Sequence, residues 1–250
     1  MPLGSFEGEI KVIDRPGIEL LGAVLYLRSQ KIIGFDTETR PTFSPGQRPH
    51  KVALLQLSGG GKAYLFRINK LQGIPKMLTS LLSSPRILKV GAAVHDDIRA
   101  LQKWVLFKPK GFVDLQRIAW EWGIRDMSVK KLAANILGVR ISKTQQLSNW
   151  EADKLSHPQQ LYAATDAWIC REMYCALLSS EKHPLTPEER NPIQPQAAAP
   201  SGTPPQGDKC SPDGQGPAKG GRGRGHHGRN RRRRRKPSGQ KPSGQQPGSN

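Results

Sequence analysis

Acidic side chains interrupt three strongly apolar segments of this sequence. Asp36 and Glu38 end the first segment, Asp97 follows the second, and Asp166 lies in the third together with Tyr162. An unpaired carboxylate in apolar surroundings is costly. Hard divalent cations, which prefer oxygen ligands, can supply the missing counter-charge. The chain is therefore expected to fold so that these carboxylates meet at a metal site.

The spacing of the acidic residues favours such a meeting. Asp36 and Glu38 are two residues apart on a predicted strand, so their side chains share one face. Tyr162 and Asp166 are four apart on a predicted helix and lie on one side of it. Each pair also has an ordinary interpretation, a turn after a strand in the first case and a core tyrosine with an exposed aspartate in the second. Asp97 alone is typical of a helix cap.

Apolar periodicity and turn residues predict an α/β layered domain with a mixed sheet. Strands dominate the first half and helices the second. Ser156 and Gln159 form a capping-box pattern at the start of the last helix, and Asp96 is the candidate cap of the helix that follows the strand expected over residues 87–90. Strands are expected over residues 8–14, 31–36, 52–57, 63–68 and 87–90, and helices over 18–27, 75–82, 97–104, 112–120, 128–137 and 157–178.

Composition divides the 250 residues into two parts. Residues 1–180 have the apolar content of one folded domain, whereas residues 181–250 are rich in Pro, Gly, Ser, Gln and Arg and are predicted to be a disordered tail. The net charge of +19 is shared, since the tail holds 14 Lys/Arg against 5 Asp/Glu and the domain 25 against 15. A basic domain with clustered carboxylates indicates an anionic substrate at a metal site. The Gly/Arg-rich tail is expected to add affinity for nucleic acid without sequence specificity.

The remaining composition points to a cytoplasmic protein. The three cysteines show no metal-binding spacing and no disulfide framework, which favours a reducing compartment. No secretory signal is evident, and no apolar run approaches the ~20 residues of a membrane helix. We therefore expect no membrane partner.

Taken together, these motifs resemble the DEDDy family of 3′–5′ exonucleases, which includes ribonuclease D, Werner-type exonuclease domains and polymerase proofreading domains. The resemblance covers residues 9–180 and rests on Asp36-Thr37-Glu38-Thr39, on an acidic helix start after a Gly-rich strand end, and on Tyr-x-x-x-Asp. Phe112–Leu115, Ser148–Trp150 and Tyr162–Ala167 look most like the Werner-type branch.

The resemblance implies a ribonuclease H-like mixed sheet flanked by helices, with two Mg²⁺ or Mn²⁺ ions as cofactors. Asp36 would bridge both ions, Glu38 and Asp166 would hold the first, and Asp97 would hold the second through water. Tyr162 would orient the attacking water. The expected partner is nucleic acid with a single-stranded or recessed 3′ end, from which nucleoside monophosphates are released.

Several alternatives remain open at this stage. DNA is the favoured substrate, although RNA processing of the ribonuclease D type and a non-catalytic nucleic-acid adaptor are both compatible with the sequence. Gln56 is interpreted as a buried amide hydrogen-bonded to backbone, and Trp150 as a core residue. Lys143 has two equally compatible interpretations, a contact with the substrate phosphates or a solvated surface side chain. The same two interpretations apply to Arg40 and Gln145.

Overall fold

The computed structural model describes residues 1–44, 46 and 48–190. The predicted disordered tail lies outside the described residues from position 191 onward. The strands are β1 (Glu9–Ile13), β2 (Ile32–Thr39), β3 (Val52–Ser58), β4 (Lys62–Arg67), β5 (Leu88–Gly91) and β6 (Phe112–Asp114). The helices are α1 (Ile18–Ser29), α2 (Lys76–Leu82), α3 (Val94–Gln102), α4 (Leu115–Ile118), α5 (Val129–Leu137), α6 (His157–Leu178) and α7 (Pro187–Arg190), with a 3₁₀ turn over Ala119–Trp122.

The strands form one mixed sheet in the order β1-β4-β3-β2-β5-β6. The hairpin partners β3 and β4 are antiparallel, and β3 also runs antiparallel to β2. The pairs β1-β4, β2-β5 and β5-β6 are parallel. Helices cover the sheet, so the predicted α/β class is confirmed, and β2 takes a central position with neighbours on both sides.

Two local predictions were wrong. Residues Phe112–Asp114 form an edge strand parallel to β5 and not the start of a helix. This segment is too short for its periodicity to show, and the pairing with β5 decides its conformation. Helix α3 begins at Val94, and Ala93 before it has a left-handed backbone conformation. Asp96 therefore lies in the first turn and is not the N-cap of this helix.

Side chains of β2 alternate between two different environments. Ile33 and Phe35 are fully buried in the core that α1, α2 and α3 cover. Gly34 and Asp36 face the opposite side, where α6 lies. Because neighbouring strand residues point to opposite faces, the apolar core holds one face of the strand in place while the other presents the acidic groups.

Helix α6 lies against β2 at very short range. It begins with the predicted capping box between Ser156 and Gln159. Ala163, Ala164 and Ala167 are fully buried on its inner side, which keeps that side slim. A Cβ atom built on Gly34 would overlap the carbonyl oxygen of Ala167. The approach of helix to strand therefore depends on glycine at position 34.

We expect Gly34→Ala to destabilise the protein by about 1–3 kcal/mol or more, because the backbone of α6 must move away from β2. Urea unfolding followed by circular dichroism measures this change. Gly22→Ala on α1 is the matched control, since a Cβ there meets no atom within 4 Å and should stabilise the helix slightly. An unchanged free energy of unfolding in Gly34→Ala would contradict the account of close packing.

The chain continues to pack on the domain after α6. Leu185 donates its backbone N–H to the Trp120 carbonyl oxygen at 2.9 Å, and the Arg190 guanidinium lies 3.2 Å from the centre of the Trp120 ring. The boundary placed at residue 180 stays a prediction. In the part of the chain that the structure describes, no helix has both the length and the apolar character to cross a membrane.

Candidate active site

Three of the predicted carboxylates come together where β2 passes under α6. Asp36, Glu38 and Asp166 each offer an oxygen atom, and these atoms lie within 4.8 Å of one another. The first two are on the same face of β2, and Asp166 is on the side of α6 that packs against this strand. The close approach at Gly34 thus brings residues 130 positions apart in sequence into one cluster.

Asp97 reaches the same end of the sheet from the opposite layer. It lies in the first turn of α3 and accepts a hydrogen bond from the Thr37 hydroxyl at 2.5 Å. Its carboxylate is not part of the three-residue cluster found among the described residues. Thr37 alternates with Asp36 and Glu38 along β2, so the strand carries the cluster on one face and holds Asp97 on the other. This role of Thr37 was not predicted.

Tyr162 lies one helical turn before Asp166 and rests on Trp150. The two aromatic rings have centroids 6.0 Å apart and an interplanar angle of 35°. Trp150 is fully buried, as predicted for a core residue. Its ring packs against the Tyr162 ring and limits where that ring can lie. Its neighbour Glu151 forms a salt bridge with Arg40 and a hydrogen bond with the His50 ring, so a carboxylate already occupies Arg40.

Burial and mutual repulsion raise the pKa values of the clustered acids. The pKa of Asp36 lies well above its ordinary value, first because of burial and then because of the charges on Asp166, Asp97 and Glu38. Burial, followed by the charges on Asp166 and Asp97, raises the pKa of Glu38 to about 9. Both shifts follow from the burial of the carboxylates and from their closeness to one another.

For the other two carboxylates burial is the main cause, and the shifts are smaller. Burial raises the pKa of Asp166 to about 7, against the opposing effects of the Tyr162 hydroxyl and the Lys143 ammonium group. Burial raises the pKa of Asp97 to about 6, while its bond to Thr37 acts in the opposite direction. The Lys143 ammonium group thus acts electrostatically on Asp166.

The cluster opens into a cavity of about 260 Å³. Its walls include Cys170, Lys130 and Gln146, none of which was singled out from the sequence. Cys170 follows Asp166 by one helical turn, so the same spacing rule that paired Asp166 with Tyr162 points to it. The cavity is lined by Asp36, Thr37, Glu38, Ala92, Val129, Lys130, Ile141, Ser142, Lys143, Gln146, Tyr162, Asp166 and Cys170.

Two further polar residues differ in how well their hydrogen-bonding groups are used. Gln56 is fully buried and stands opposite Asp36 in the β2-β3 pairing. Neither of its amide atoms has a hydrogen-bond partner among the described residues, so the predicted bond to backbone is absent there. Gln145, by contrast, accepts a hydrogen bond from the Ser148 hydroxyl at 2.6 Å, which orders the segment leading to Trp150.

The comparisons with known proteins agree with this geometry. A sequence model described as 3′-5′ exonuclease matches residues 18–180. The chain belongs to the 3′-5′ exonuclease family. Members of this family are hydrolases that act on phosphodiester bonds. The matched range contains all four carboxylates and Tyr162, so the whole candidate site lies inside the family domain.

The chain spans a quarter or less of the length of the curated relatives compared with it. The chain is 34% identical over 142 residues, 55% of its length, to the bifunctional 3′-5′ exonuclease/ATP-dependent helicase WRN of Mus musculus. It covers 10% of that protein and 20–25% of two other curated relatives.

Two solved structures share the exonuclease fold. The Aedes aegypti Nibbler EXO domain superposes with a TM-score of 0.59 at 24% identity, covering 72% of this chain and 90% of that one. The Trypanosoma brucei RNase D complex with RNA U12 has a TM-score of 0.60 at 22% identity, covering 70% and 64%.

The residues of this exonuclease domain fit a hard divalent cation. The cluster consists of carboxylate oxygens, the ligands that Mg²⁺ and Mn²⁺ prefer. Burial, and after it the neighbouring carboxylates, raise the pKa values of Asp36 and Glu38, and a bound cation would offset both effects. Asp36, Glu38 and Asp166 are close enough together to share one ion.

Proposed function

We propose that this protein is a metal-dependent 3′–5′ exonuclease that removes nucleoside monophosphates from the 3′ end of nucleic acid, with DNA favoured. The observation that carries the proposal is the cluster of Asp36, Glu38 and Asp166 beside Tyr162 in one open cavity. A phosphodiester has no easily displaced group, so its hydrolysis needs an activated water and neutralisation of developing charge. A carboxylate cluster beside a hydroxyl is suited to both.

Each carboxylate is assigned a metal-binding role from its position in the site. Asp36 is central in the cluster and would bridge two cations, Glu38 and Asp166 would hold the first, and Asp97 would hold the second through water. In support, Asp97 stands apart from the other three and is turned by Thr37. When bound, Mg²⁺ or Mn²⁺ ions supply an activated water and stabilise the attacking and leaving oxygens.

The basic side chains and Tyr162 would act on the substrate directly. Lys143 and Lys130 line the cavity and would draw the terminal phosphate towards the cluster. Burial raises the pKa of Tyr162 further above its ordinary value of about 10, and the charges on Asp166 and Glu38 add to this shift. The hydroxyl therefore stays protonated and serves to orient water by hydrogen bonding, not to remove a proton.

We expect Tyr162→Phe to lower kcat by about 10- to 100-fold with little change in KM, because only the orienting hydroxyl is lost. The ring keeps its packing against Trp150, so the melting temperature should not fall. Tyr174→Phe, farther along the same helix, is the matched control and should retain full activity. Steady-state kinetics on a labelled oligonucleotide test this, and an unchanged kcat in Tyr162→Phe would refute the proposed role.

Degradation assays test the proposed function itself. A 5′-labelled oligonucleotide should shorten stepwise when Mg²⁺ or Mn²⁺ is added, and a strand with a blocked 3′ end should remain intact. Matched DNA and RNA strands, single-stranded and recessed, then establish the substrate. Absence of cleavage with every strand would favour the adaptor interpretation, in which the basic surface binds nucleic acid without turnover.

RNA is the second candidate substrate. Its support is the fold similarity to an RNase D whose structure was obtained with RNA, together with the Gly/Arg-rich composition beyond residue 219. DNA and RNA differ at the 2′-hydroxyl. A preference for RNA of tenfold or more in kcat/KM would replace DNA in the proposal and leave the catalytic residues unchanged.

A further inference from the structure

One buried amide beside the acidic cluster has no role in the site described above. Gln56 lies in the middle of β3 and is fully buried. Neither its amide nitrogen nor its amide oxygen has a hydrogen-bond partner among the described residues. Burying both groups of an amide unpaired is costly. An apolar side chain would fill the same space without that cost, so we expect the amide to serve a purpose other than packing.

Gln56 faces the same side of the sheet as the acidic cluster. It stands directly opposite Asp36 in the antiparallel pairing of β2 with β3. Opposite residues of such a pair share one face, with Cβ atoms about 4.5–5.5 Å apart. On its other side Gln56 is paired with Leu65 of β4, which packs with Ala163 of α6 in one apolar cluster. The Gln56 amide is therefore enclosed between the sheet and α6, within reach of the Asp36 carboxylate.

The Asp36 carboxylate lacks a side-chain donor that would orient it. Among the described residues only the backbone of Thr37 donates a hydrogen bond to it, whereas the Thr37 hydroxyl donates to Asp97. An ionised carboxylate only accepts hydrogen bonds, and a glutamine amide offers two N–H donors. Carboxylates that bind metal ions are commonly oriented by hydrogen bonds from residues behind them. Gln56 is the buried neighbour of Asp36 that can supply such a bond.

The amide can act on the reaction only through Asp36. The described walls of the catalytic cavity include Asp36 and not Gln56. The amide therefore lies behind the carboxylate, on the side away from the cavity, and does not reach a substrate bound there. A hydrogen bond from this side limits the rotation of the carboxylate and leaves its opposite side open towards the cavity.

We propose that Gln56 is a positioning residue, whose amide N–H donates a hydrogen bond to the Asp36 carboxylate and holds it in the orientation that binds cations. This inference rests on the proposed metal-dependent exonuclease function and deepens it. It assigns a purpose to an amide that is otherwise unpaired, and it makes metal affinity depend on a residue that is not itself a ligand.

Gln56→Met removes the amide and keeps the length of the side chain. The dissociation constant for Mn²⁺, measured by electron paramagnetic resonance of the free ion, should rise about 10- to 100-fold, as is typical when a metal ligand loses its outer hydrogen bond. At saturating metal, kcat on a labelled oligonucleotide should fall about tenfold. The KM for the oligonucleotide should stay within about twofold of the wild type, because the amide does not reach the substrate.

Thermal stability separates this role from a structural one. In EDTA, Gln56→Met should melt at the temperature of the wild type or above it, since an apolar side chain replaces an unpaired buried amide. A glutamine that only supports the fold would give a lower melting temperature with unchanged Mn²⁺ affinity, and that result would overturn the proposal. Gln56→Leu covers the case in which the methionine variant does not fold, and the same outcomes apply to it.

Leu65→Met is the matched control. Leu65 is fully buried beside Gln56, one strand further from Asp36. Exchanging Leu for Met conserves volume and is well tolerated in cores. Mn²⁺ affinity and kcat should therefore stay within about twofold of the wild type. Equal losses of Mn²⁺ affinity in Leu65→Met and Gln56→Met would assign the effect to repacking and refute the role of the amide.

Mn²⁺ binding needs no substrate, so the two proposals can fail separately. If the wild type binds Mn²⁺ and hydrolyses no strand, the exonuclease function fails, and the comparison of Mn²⁺ affinities still decides the role of Gln56. If the wild type binds no Mn²⁺, both proposals fail. Unchanged Mn²⁺ affinity in the folded Gln56 variants would refute the positioning role even in an active enzyme.

Discussion

Replacing Asp36 with Asn should abolish hydrolysis, with kcat lower by at least about 10³-fold. Asp36 is the one carboxylate whose pKa is raised by all three others, so it lies at the electrostatic centre of the site. An amide at this position keeps the size of the side chain and loses the negative charge. In EDTA the variant should melt at a higher temperature than the wild type, because the repulsion it removes opposes folding.

This opposite effect on activity and stability separates a functional cluster from a structural one. Asp96→Asn is the matched control, since Asp96 is exposed in the first turn of α3, and it should retain the activity of the wild type. Kinetics on a labelled oligonucleotide and calorimetry in EDTA provide the two readouts. An active Asp36→Asn protein, or one that unfolds at a lower temperature, would show that the cluster has another purpose.

Stability should also depend on pH and metal in opposite directions. Folding raises the pKa of Glu38 from 4.5 to about 9 and that of Asp166 from 3.8 to about 7. A raised carboxylate pKa means that the folded state favours the protonated form. The resulting contribution to stability is fully present below about pH 4 and is lost as the pH rises through 7 and 9. In EDTA the melting temperature should therefore fall between pH 5 and pH 9, by on the order of 5 °C.

Divalent cations should reverse this trend, because they bind the deprotonated carboxylates. Mg²⁺ or Mn²⁺ should raise the melting temperature strongly at pH 8 and hardly at pH 5. Glu38→Gln should flatten the pH dependence in EDTA and reduce the stabilisation by metal, whereas Glu181→Gln, at an exposed position, should change neither. Equal stabilisation by metal at both pH values would contradict binding at this cluster.

Asp97, the proposed ligand of a second cation, is the candidate site residue whose position depends most on tertiary contacts. From the sequence, Asp96 and Asp97 are adjacent acids at a helix start, and a capping role was predicted for the first. The structure starts α3 at Val94, which turns Asp97 towards Thr37 and leaves Asp96 exposed. Because α3 begins directly after Ala93, which has a left-handed backbone conformation, the side chains of Asp96 and Asp97 lie in different environments. Helix propensities do not predict where such a left-handed residue occurs.

Local patterns determined much of this protein from the sequence alone. The alternation in β2 put Asp36 and Glu38 on one face, the capping box fixed the start of α6, and the four-residue spacing aligned Tyr162 with Asp166. These features depend on neighbours in sequence, so the backbone geometry of strand and helix is enough to predict them. The succession of strands in the first half of the domain and helices in the second follows from periodicity in the same way.

Tertiary structure alone decided how these pieces meet. The edge strand Phe112–Asp114 exists because β5 offers it a partner, and the contact between Gly34 and Ala167 sets the distance between two acidic groups far apart in sequence. The placement of residues 1–6 likewise depends on hydrogen bonds to Arg140 and Thr165. Each of these is a contact between distant segments, whose energy arises only when the chain is packed and therefore leaves no periodic signal in the sequence.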